Sequence, residues 1–376
     1  MLRNRKTKNH KPHLSVFCSS LNSLNEVGSL HRALDIYRKF HENGWEISIY
    51  SRDKQREIPE IGFKAEIHPQ WPYVLPKKLD GLYQLFFPLL HFGSGKKTDV
   101  IITLQGFSFP AAIAAGKLWG AKVVARCGMV FGESAEVLKK TGKRDQKKLQ
   151  CEKKTFQKAD KCIIPTKELA DWVIKNYKVN SEKILIAPNN VDTELFKPSN
   201  IKKDTDIISV GRLVRKKRHD LLINSVSDAT YKIKIIGQGN MKEDLKTIAS
   251  NSNCEVNLIN RVENSDLPSF FNASRIYVNI ASWEGNPKAL IEAMSCGMAC
   301  IGAKSPGIEN LIIDGQTGLL VEPEPKHIRK AVEQLMSDES LREYLGKNAR
   351  KYTIEHFSLD KVFEIYEQTC ESLTQG

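Results

Sequence analysis

The stretch "RIYVNIASWEGNPKALIEAMSCGMACIGA", residues 275–303, carries the pattern on which the fold turns. Its two ends, "RIYVNIA" (275–281) and "MACIGA" (298–303), are short apolar runs of strand length. Between them Asn286 and Pro287 form a helix-start signal. Asparagine caps backbone N–H groups, and proline at the first helical position gives up a donor that has no partner there. The expected helix runs through "KALIEAMSC" to Gly297, a residue suited to ending it. Strand, helix and strand in that order make one unit of a parallel sheet covered by helices. The same stretch puts Glu284 in the loop before the helix and Glu292 about one and a half turns inside it.

The alternation extends outward in both directions. "IISVGRL" (207–213), "YKIKIIGQG" (231–239) and "CEVNLIN" (254–260) precede it as strands, and "GLLVEP" (318–323) follows. Upstream, "HLSVFCS" (13–19), "EISIYS" (46–51), "DVIITLQG" (99–106), "KVVARCG" (122–128), "KCIIPT" (161–166) and "KILIAPN" (183–189) alternate with helical patterns near 28–43, 110–119, 145–159 and 167–177. The segment "PNNVDTELFKPSNIKKDTD" (188–206) holds turn residues and charge without a sustained apolar period, and reads as a connection. A chain of 376 residues is long for one core, and about 100–200 residues per domain gives two. The expected fold class is α/β: two Rossmann-like doubly wound lobes facing across a cleft, residues 1–190 and 191–357. An amphipathic helix over 358–376 closes the chain and is a candidate to pack back on the first lobe.

The net charge of +13 favours an anionic partner. In the densest basic run, "KKTGKRDQKKLQCEKKTFQK" (139–158), Lys140, Arg144, Lys147, Lys154 and Lys158 share one helical stripe, either a solvated face or one drawn to an anionic membrane surface. "LDGLYQLFFPLLHF" (79–92) is apolar but broken by Pro88 and far shorter than a membrane span. It reads as core or lid, with a membrane-touching loop as the alternative. "LSVF" near the start is too short for a signal-peptide core. Eight scattered cysteines without a CxxC pair read as reduced thiols, and Cys296 and Cys300 as small core residues rather than metal ligands. The expected location is cytoplasmic, with at most peripheral contact at the inner face of the membrane.

Open α/β sheets bind ligands beyond the carboxyl ends of their strands. "GRLVRKKRH" places Gly211, Arg212, Arg215, Lys216, Lys217 and Arg218 at one such end, "GQGN" places Gly237 and Gly239 at the next, and "SWEGNP" places Glu284, Gly285, Asn286 and Pro287 at a third. Lys288 and Ala289 open the helix, whose first N–H groups and dipole favour phosphate oxygens. The carboxylates of Glu284 and Glu292 accept hydrogen bonds from hydroxyls, and Arg212 and Lys217 supply positive charge. A ligand with hydroxyl-rich ends and a diphosphate between them meets all of these groups. That describes a nucleotide sugar.

The segments "SVGRLVRKKRHDLL", "IIGQGNMKEDL", "LPSFFNASRIYVNIASWEGNPKALIEAMSCGMACIGA" and "IIDGQTGLLVEP" run in order through most of the second lobe. Together they resemble the GT-B-type retaining glycosyltransferases of family 4 (glycosyltransferase group 1). The first lobe resembles the family in layout and in "PNNVDTELF". The resemblance implies transfer of a hexose from a nucleotide-diphosphate sugar donor to a glycan or lipid-linked acceptor, as in cell-envelope polysaccharide assembly, with no metal and no other cofactor. It assigns catalytic roles to Glu284, at the sugar hydroxyls, and to Arg212 and Lys217, at the departing diphosphate. Glu292 meets the ribose, and Gly211, Gly237, Gly239, Gly285, Asn286, Pro287, Lys288 and Ala289 complete the donor set. Gly28 and Ser29, at the helix start after the first strand, and Gln105, Gly106 and Arg126, at later strand ends, are acceptor-side candidates by position.

The chain departs from the family pattern at several places. Arg218 stands where a glycine is usual. In "SPGIENLIIDG" Glu309 comes one position early, and Gly307 and Ile308 are candidate backbone donors to phosphate. The "KVVA" strand leads into Arg126, Cys127 and Gly128, with no histidine. That substitution keeps a catalytically impaired glycosyltransferase-like protein as an alternative, which the intact glutamate pair opposes. A basic nucleic-acid-binding protein is the other alternative, opposed by the lack of aromatics interleaved with the basic residues, so no nucleic acid is expected. A dinucleotide-dependent oxidoreductase lacks its G-x-G-x-x-G fingerprint after the first strand of either lobe. "DTD" at 204–206 has the form of a DxD metal motif but precedes a strand.

Overall fold

The computed structural model describes residues 11–26, 29–69, 86–104, 109–133 and 142–375. The chain divides into two compact units, Met1–Ala187 with Phe363–Gly376, and Pro188–Val362.

The first unit is built on seven strands: β1 (His13–Phe17), β2 (Glu46–Tyr50), β3 (Glu66–His68), β4 (Val100–Thr103), β5 (Lys122–Arg126), β6 (Lys161–Ile164) and β7 (Ile184–Ile186). Their order is β3-β2-β1-β4-β5-β6-β7, and every pairing is parallel. β1 and β4 are buried along their whole length, as strands covered on both faces must be, which is why they read as continuous apolar runs. β3, three residues at the sheet edge, has no period to detect and was not anticipated. The four expected helices are present as Leu30–Glu42, Phe109–Trp119, Lys143–Lys158 and Lys167–Tyr177.

A further helix, Leu21–Glu26, occupies what the sequence reads as a turn after β1. Six residues are too few for a helix to hold itself together. The buried carboxylate of Asp53, just beyond β2, accepts from the Leu21 and Asn22 amides (2.5 and 3.3 Å) and from the Ser20 hydroxyl (2.6 Å). This long-range cap adds to a local one, in which the Ser20 hydroxyl accepts from the Ser23 amide (2.9 Å). On the C-terminal segment of this unit, Phe363 packs edge-on against Phe40, with ring centroids 5.0 Å apart.

The apolar run 79–92 meets the expectation of core only in part. Residues 79–85 lie outside the described residues. Of the rest, Phe87 is buried against the Phe17 and Tyr50 rings, whereas Phe86, Leu89, Leu90 and Phe92 are 50%, 59%, 40% and 45% exposed. The segment lies on the surface as a short helix, pinned where Trp119 Nε1 donates to the Pro88 carbonyl (2.9 Å), and one face of it has no interior to enter. Among the described residues no helix is long and apolar enough to cross a membrane.

The second unit has six strands: β8 (Thr205–Val210), β9 (Lys232–Ile236), β10 (Glu255–Ile259), β11 (Ser274–Asn279), β12 (Ala299–Ala303) and β13 (Leu319–Val321). All were expected. The parallel order is β10-β9-β8-β11-β12-β13. The chain leaves β8 toward β9 and β10, then returns to β11 on the other side of β8. Loops after β8 and β11 therefore part in opposite directions, and this switch point is where an open sheet makes a crevice.

The helix after β11 spans Lys288–Ser295. It too is short for independent stability. Leu290, Ile291 and Met294 are fully buried, and about 1.5–3 kcal/mol for each such side chain anchors it to the sheet. It ends at Gly297, φ +71°, where the Gly297 and Met298 amides return to the Met294 and Ala293 carbonyls. Its start differs from expectation. Pro287 occupies the cap position, and Asn286 does not cap. The Asn286 Oδ1 instead accepts from the Asn189 amide (3.0 Å) while Asn189 Nδ2 donates to the Asn286 carbonyl (2.7 Å). An oxygen already committed across the fold is not available to the helix.

Asp204 and Asp206 flank the start of β8, the far end from the switch-point loops, and pair with Lys234 (2.9 Å) and Arg275 (3.3 Å). Among the described residues no group of three or more metal-ligating side chains occurs. The eight cysteines are free thiols, all buried except Cys151.

Candidate functional site

Glu284 lies in the loop after β11 and is held from both sides. The Ser282 amide donates to the Lys216 carbonyl (2.9 Å) in the loop after β8, and the Glu284 amide donates to the Pro306 carbonyl (3.0 Å) in the loop after β12. Gly307 has φ +81°, and a Cβ there would stand 2.1 Å from the Glu284 carbonyl oxygen, so only glycine allows that approach. The Ile308 amide donates to the Ser305 carbonyl (3.1 Å). The expectation that Gly307 and Ile308 offer amides to phosphate is thus replaced, for Ile308, by an internal bond, and Gly307 serves the close contact with the Glu284 loop.

The Glu284 carboxylate is 10% exposed and carries two lysines: Lys217 Nζ pairs with its Oε1, and Lys216 Nζ lies 3.7 Å from Oε2. Lys216 Nζ also sits over the Trp283 ring, 4.4 Å from its centroid. Burial lowers the Lys216 pKa from the ordinary lysine value, against the opposing pull of Glu284. Lys217 reaches the carboxylate by running over Gly211, where a Cβ would come within 3.1 Å of its Cε and Nζ. Arg212, beside Gly211, is exposed.

Gly237 and Gly239 shape this loop from below. Added Cβ atoms would stand 1.9 Å from the Gly211 carbonyl oxygen and 2.1 Å from that of Leu213. The Leu213 amide donates to the Gln238 carbonyl (2.8 Å), so the two loops are laced backbone to backbone. These glycines define the floor under Arg212. Arg218 has φ 54° and ψ 34°, the left-handed conformation that glycine adopts without strain, which accounts for the glycine usual at its place. Beneath it His219 is 4% exposed, its Nδ1 is 3.3 Å from Ser209 Oγ, and burial first, then Lys217, bring its pKa down to about 4. The cationic loop therefore rests on a neutral imidazole.

Glu292, 2% exposed inside the helix, accepts from Asn264 Nδ2 at 3.2 Å. Tyr277, buried on β11, has its phenol pushed well above the usual range, by burial first. β11 leads into the Glu284 loop and then into the helix that carries Glu292, so both glutamates follow the strand beside β8. Between them the Leu290 and Ile291 amides donate to the Pro287 carbonyl (3.2 and 3.3 Å), so those of Lys288 and Ala289 precede the first intrahelical bond and belong to the positive end of the helix.

The first unit brings fewer of the candidates into use. Gly28, Gln105 and Gly106 lie outside the described residues. Ser29 stands at the cap position of Leu30–Glu42 but makes no cap bond, and its hydroxyl donates to the Leu24 carbonyl (3.3 Å). Arg126 is drawn inward: Nε donates to the Tyr366 hydroxyl (3.1 Å) and Nη1 to the Leu104 carbonyl (2.9 Å), which makes it a tie to the C-terminal helix rather than a group presented to an acceptor. Sequence reasoning gave no role to Lys216, Trp283, Asn264 or Asn189. Lys216 and Trp283 were visible beside the residues singled out, whereas Asn264 and Asn189 act on partners 28 and 97 positions away and leave no local signal.

Residues 191–352 match the family model described as Glycosyl transferases group 1, and residues 28–195 the one described as Glycosyltransferase Family 4. Among curated proteins, the chain is 26% identical to an uncharacterized glycosyltransferase of Methanocaldococcus jannaschii, over 58% of this chain and 60% of that protein. It is 27% identical to the Escherichia coli UDP-Gal:alpha-D-GlcNAc-diphosphoundecaprenol alpha-1,3-galactosyltransferase, over 51% and 56%. It is 30% identical to a capsular polysaccharide biosynthesis glycosyltransferase of Staphylococcus aureus, over 50% of each. The chain spans about half to three fifths of these relatives. Among solved structures, sucrose-phosphate synthase from Thermosynechococcus elongatus superposes with a TM-score of 0.81 at 18% identity, covering 96% of this chain and 99% of that one. Anabaena HepE, in complex with UDP and glucose, superposes at 0.74 and 15%, covering 96% and 100%.

Two parallel sheets wrapped in helices, with these structural neighbours, define the GT-B fold of two Rossmann-like lobes. The chain belongs to the family 4, group 1 glycosyltransferases.

Proposed function

We propose that the chain transfers a hexose from a nucleoside-diphosphate sugar to a glycan or lipid-linked acceptor, with retention of anomeric configuration, in the assembly of envelope polysaccharide. The observation that carries the proposal is Glu284, ion-paired with Lys217 at the β8/β11 switch, beside the start of the helix Lys288–Ser295. A departing nucleoside diphosphate gathers negative charge while the anomeric carbon becomes oxocarbenium-like. Arg212, Lys217 and the helix-start amides meet the first change, and the Glu284 carboxylate, turned to the sugar hydroxyls, holds the ring through the second. Glu292 takes the ribose hydroxyls. These groups supply the positive charge themselves, and no metal ion enters the proposal. The named substrates and pathways of the Escherichia coli and Staphylococcus aureus relatives support a lipid-linked or capsular acceptor.

A lipid-linked acceptor brings the membrane surface into the proposal. On the helix Lys143–Lys158 the exposed Lys143, Lys147, Lys154 and Lys158 lie along one stripe, while Glu152 is buried and Asp145 lies off it. This helix packs beside Phe109–Trp119, which in turn packs beside Phe92–Gly95, next to the exposed Phe86, Leu89, Leu90 and Phe92. Cations and apolar side chains on one layer of the unit suit an anionic lipid surface, and a cytoplasmic protein peripheral to the inner face of the membrane follows from it. A panel of UDP-, GDP- and ADP-sugars, read by thermal shift and turnover with and without EDTA, tests the donor reading. At least one donor is expected to stabilise the chain and to be consumed.

A further inference from the structure

The donor reading gives Lys217 two tasks, since the lysine that meets the diphosphate is the one that neutralises Glu284. A diphosphate carries more charge than one carboxylate and attracts the ammonium more strongly. Once Lys217 turns to the donor, Glu284 loses its nearest cation at the moment it is to face the sugar.

Lys216 is built to take over. Its ammonium is 3.7 Å from the other carboxylate oxygen, so it acts on Glu284 without competing for Oε1. It stands 4.4 Å over the Trp283 ring, and that ring is 6% exposed and fixed by packing. A cation on an aromatic face keeps its charge and its place with few hydrogen bonds. The Lys216 carbonyl accepts the Ser282 amide at 2.9 Å, which couples its backbone to the Glu284 loop. Lys217 runs close over Gly211, the neighbour of Arg212, so the two cations that the donor reading aims at the diphosphate stand at one end of the same loop.

Resting on the donor reading above, we infer that Lys216 is a positioning residue for Glu284: seated on Trp283, its ammonium holds the carboxylate in place when the donor diphosphate draws Lys217 away. The charged groups that face Lys216 are Glu284, Lys217 and Arg212. Because burial lowers its pKa, Lys216 gives up its proton below the ordinary lysine range. Activity that depends on it is full at neutral pH and falls as pH rises through that value.

The test uses the full chain with whichever nucleoside-diphosphate sugar stabilises and is consumed by the wild type. Lys216→Met is expected to lower kcat about tenfold, the loss of one charge-assisted contact, while donor KM and the Kd of the nucleoside diphosphate alone stay within about threefold. Lys216→Arg is expected to restore most of kcat and to move the alkaline limb of the kcat profile upward, because guanidinium remains charged there. Melting temperatures of both variants confirm folding. An unchanged kcat in Lys216→Met overturns the inference. So does a loss confined to nucleoside-diphosphate affinity, which would make Lys216 a phosphate ligand, or an Arg variant that neither rescues nor shifts the limb. If no nucleotide sugar stabilises or turns over with the wild type, the donor reading itself fails, and that outcome is seen before either variant is measured.

Discussion

Arg218 shows what one residue costs when a family pattern is broken at a fixed backbone. At φ 54° a side chain with a Cβ is strained by about 1–2 kcal/mol, and the looser unfolded chain of a glycine variant returns about half of that. Its contact with Asp220, 3.7 Å long and partly exposed, is worth little. Arg218→Gly is therefore expected to gain about 0.5–1 kcal/mol in urea unfolding, and a loss of that size would contradict the strain. The same scale divides what the sequence disclosed from what it withheld. Glu284, Lys217 and Gly211 were legible because each follows a recognisable strand, at the sheet edge where ligands bind. Asn286 was misread as a cap because the residue that claims its side chain, Asn189, is 97 positions away. Arg126 was misread as an acceptor contact because its hydroxyl partner, Tyr366, comes from the far end of the chain.

Among the elements, strands buried on both faces announce themselves, and all twelve expected runs lie in the two sheets. Those that went unseen are short and held by distant groups: β3 by its neighbour β2, and Leu21–Glu26 by Asp53. The basic run 139–158 was legible as a helix and as a stripe, although Lys140 lies outside the described residues. The stripe's proposed role is open to a direct test. Each lysine near an anionic surface contributes about 1 kcal/mol, so Lys147→Glu, Lys154→Glu and Lys158→Glu together are expected to weaken binding to phosphatidylserine vesicles about a hundredfold or more. Raising salt should weaken the wild type in the same sense. Salt-independent absence of wild-type binding, or a triple variant that sediments with vesicles as the wild type does, removes the membrane from the account.

For the whole molecule, each unit contains a buried histidine that its fold keeps neutral. His13 is 1% and His219 4% exposed, and burial brings both to about 4 from the ordinary value of 6.5. The unfolded chain therefore takes up protons first. Stability is complete above about pH 6.5, falls as pH drops toward 4, and levels off below, with each imidazole removing about 3 kcal/mol over that window. Urea midpoints between pH 7 and 4 should follow this slope, and a His219→Gln variant should lose the part of it that His219 contributes. The two-lobe layout was legible because the alternation of strand and helix restarts after a charged connection. A reversal of strand order was expected with the doubly wound class, whereas its position at β8 and β11 depends on which strands pair. That reversal is what brings Glu284 to Lys216 and Lys217. The measurement closest to the central claim compares wild type, Glu284→Gln and Arg212→Ala against nucleoside diphosphates and their sugars. The account predicts a wild type that is stabilised and active, a Glu284→Gln variant that still binds the nucleoside diphosphate but loses about a hundredfold in kcat, and an Arg212→Ala variant that binds it more weakly. A wild type that no nucleotide stabilises, with both variants indistinguishable from it, would contradict the account.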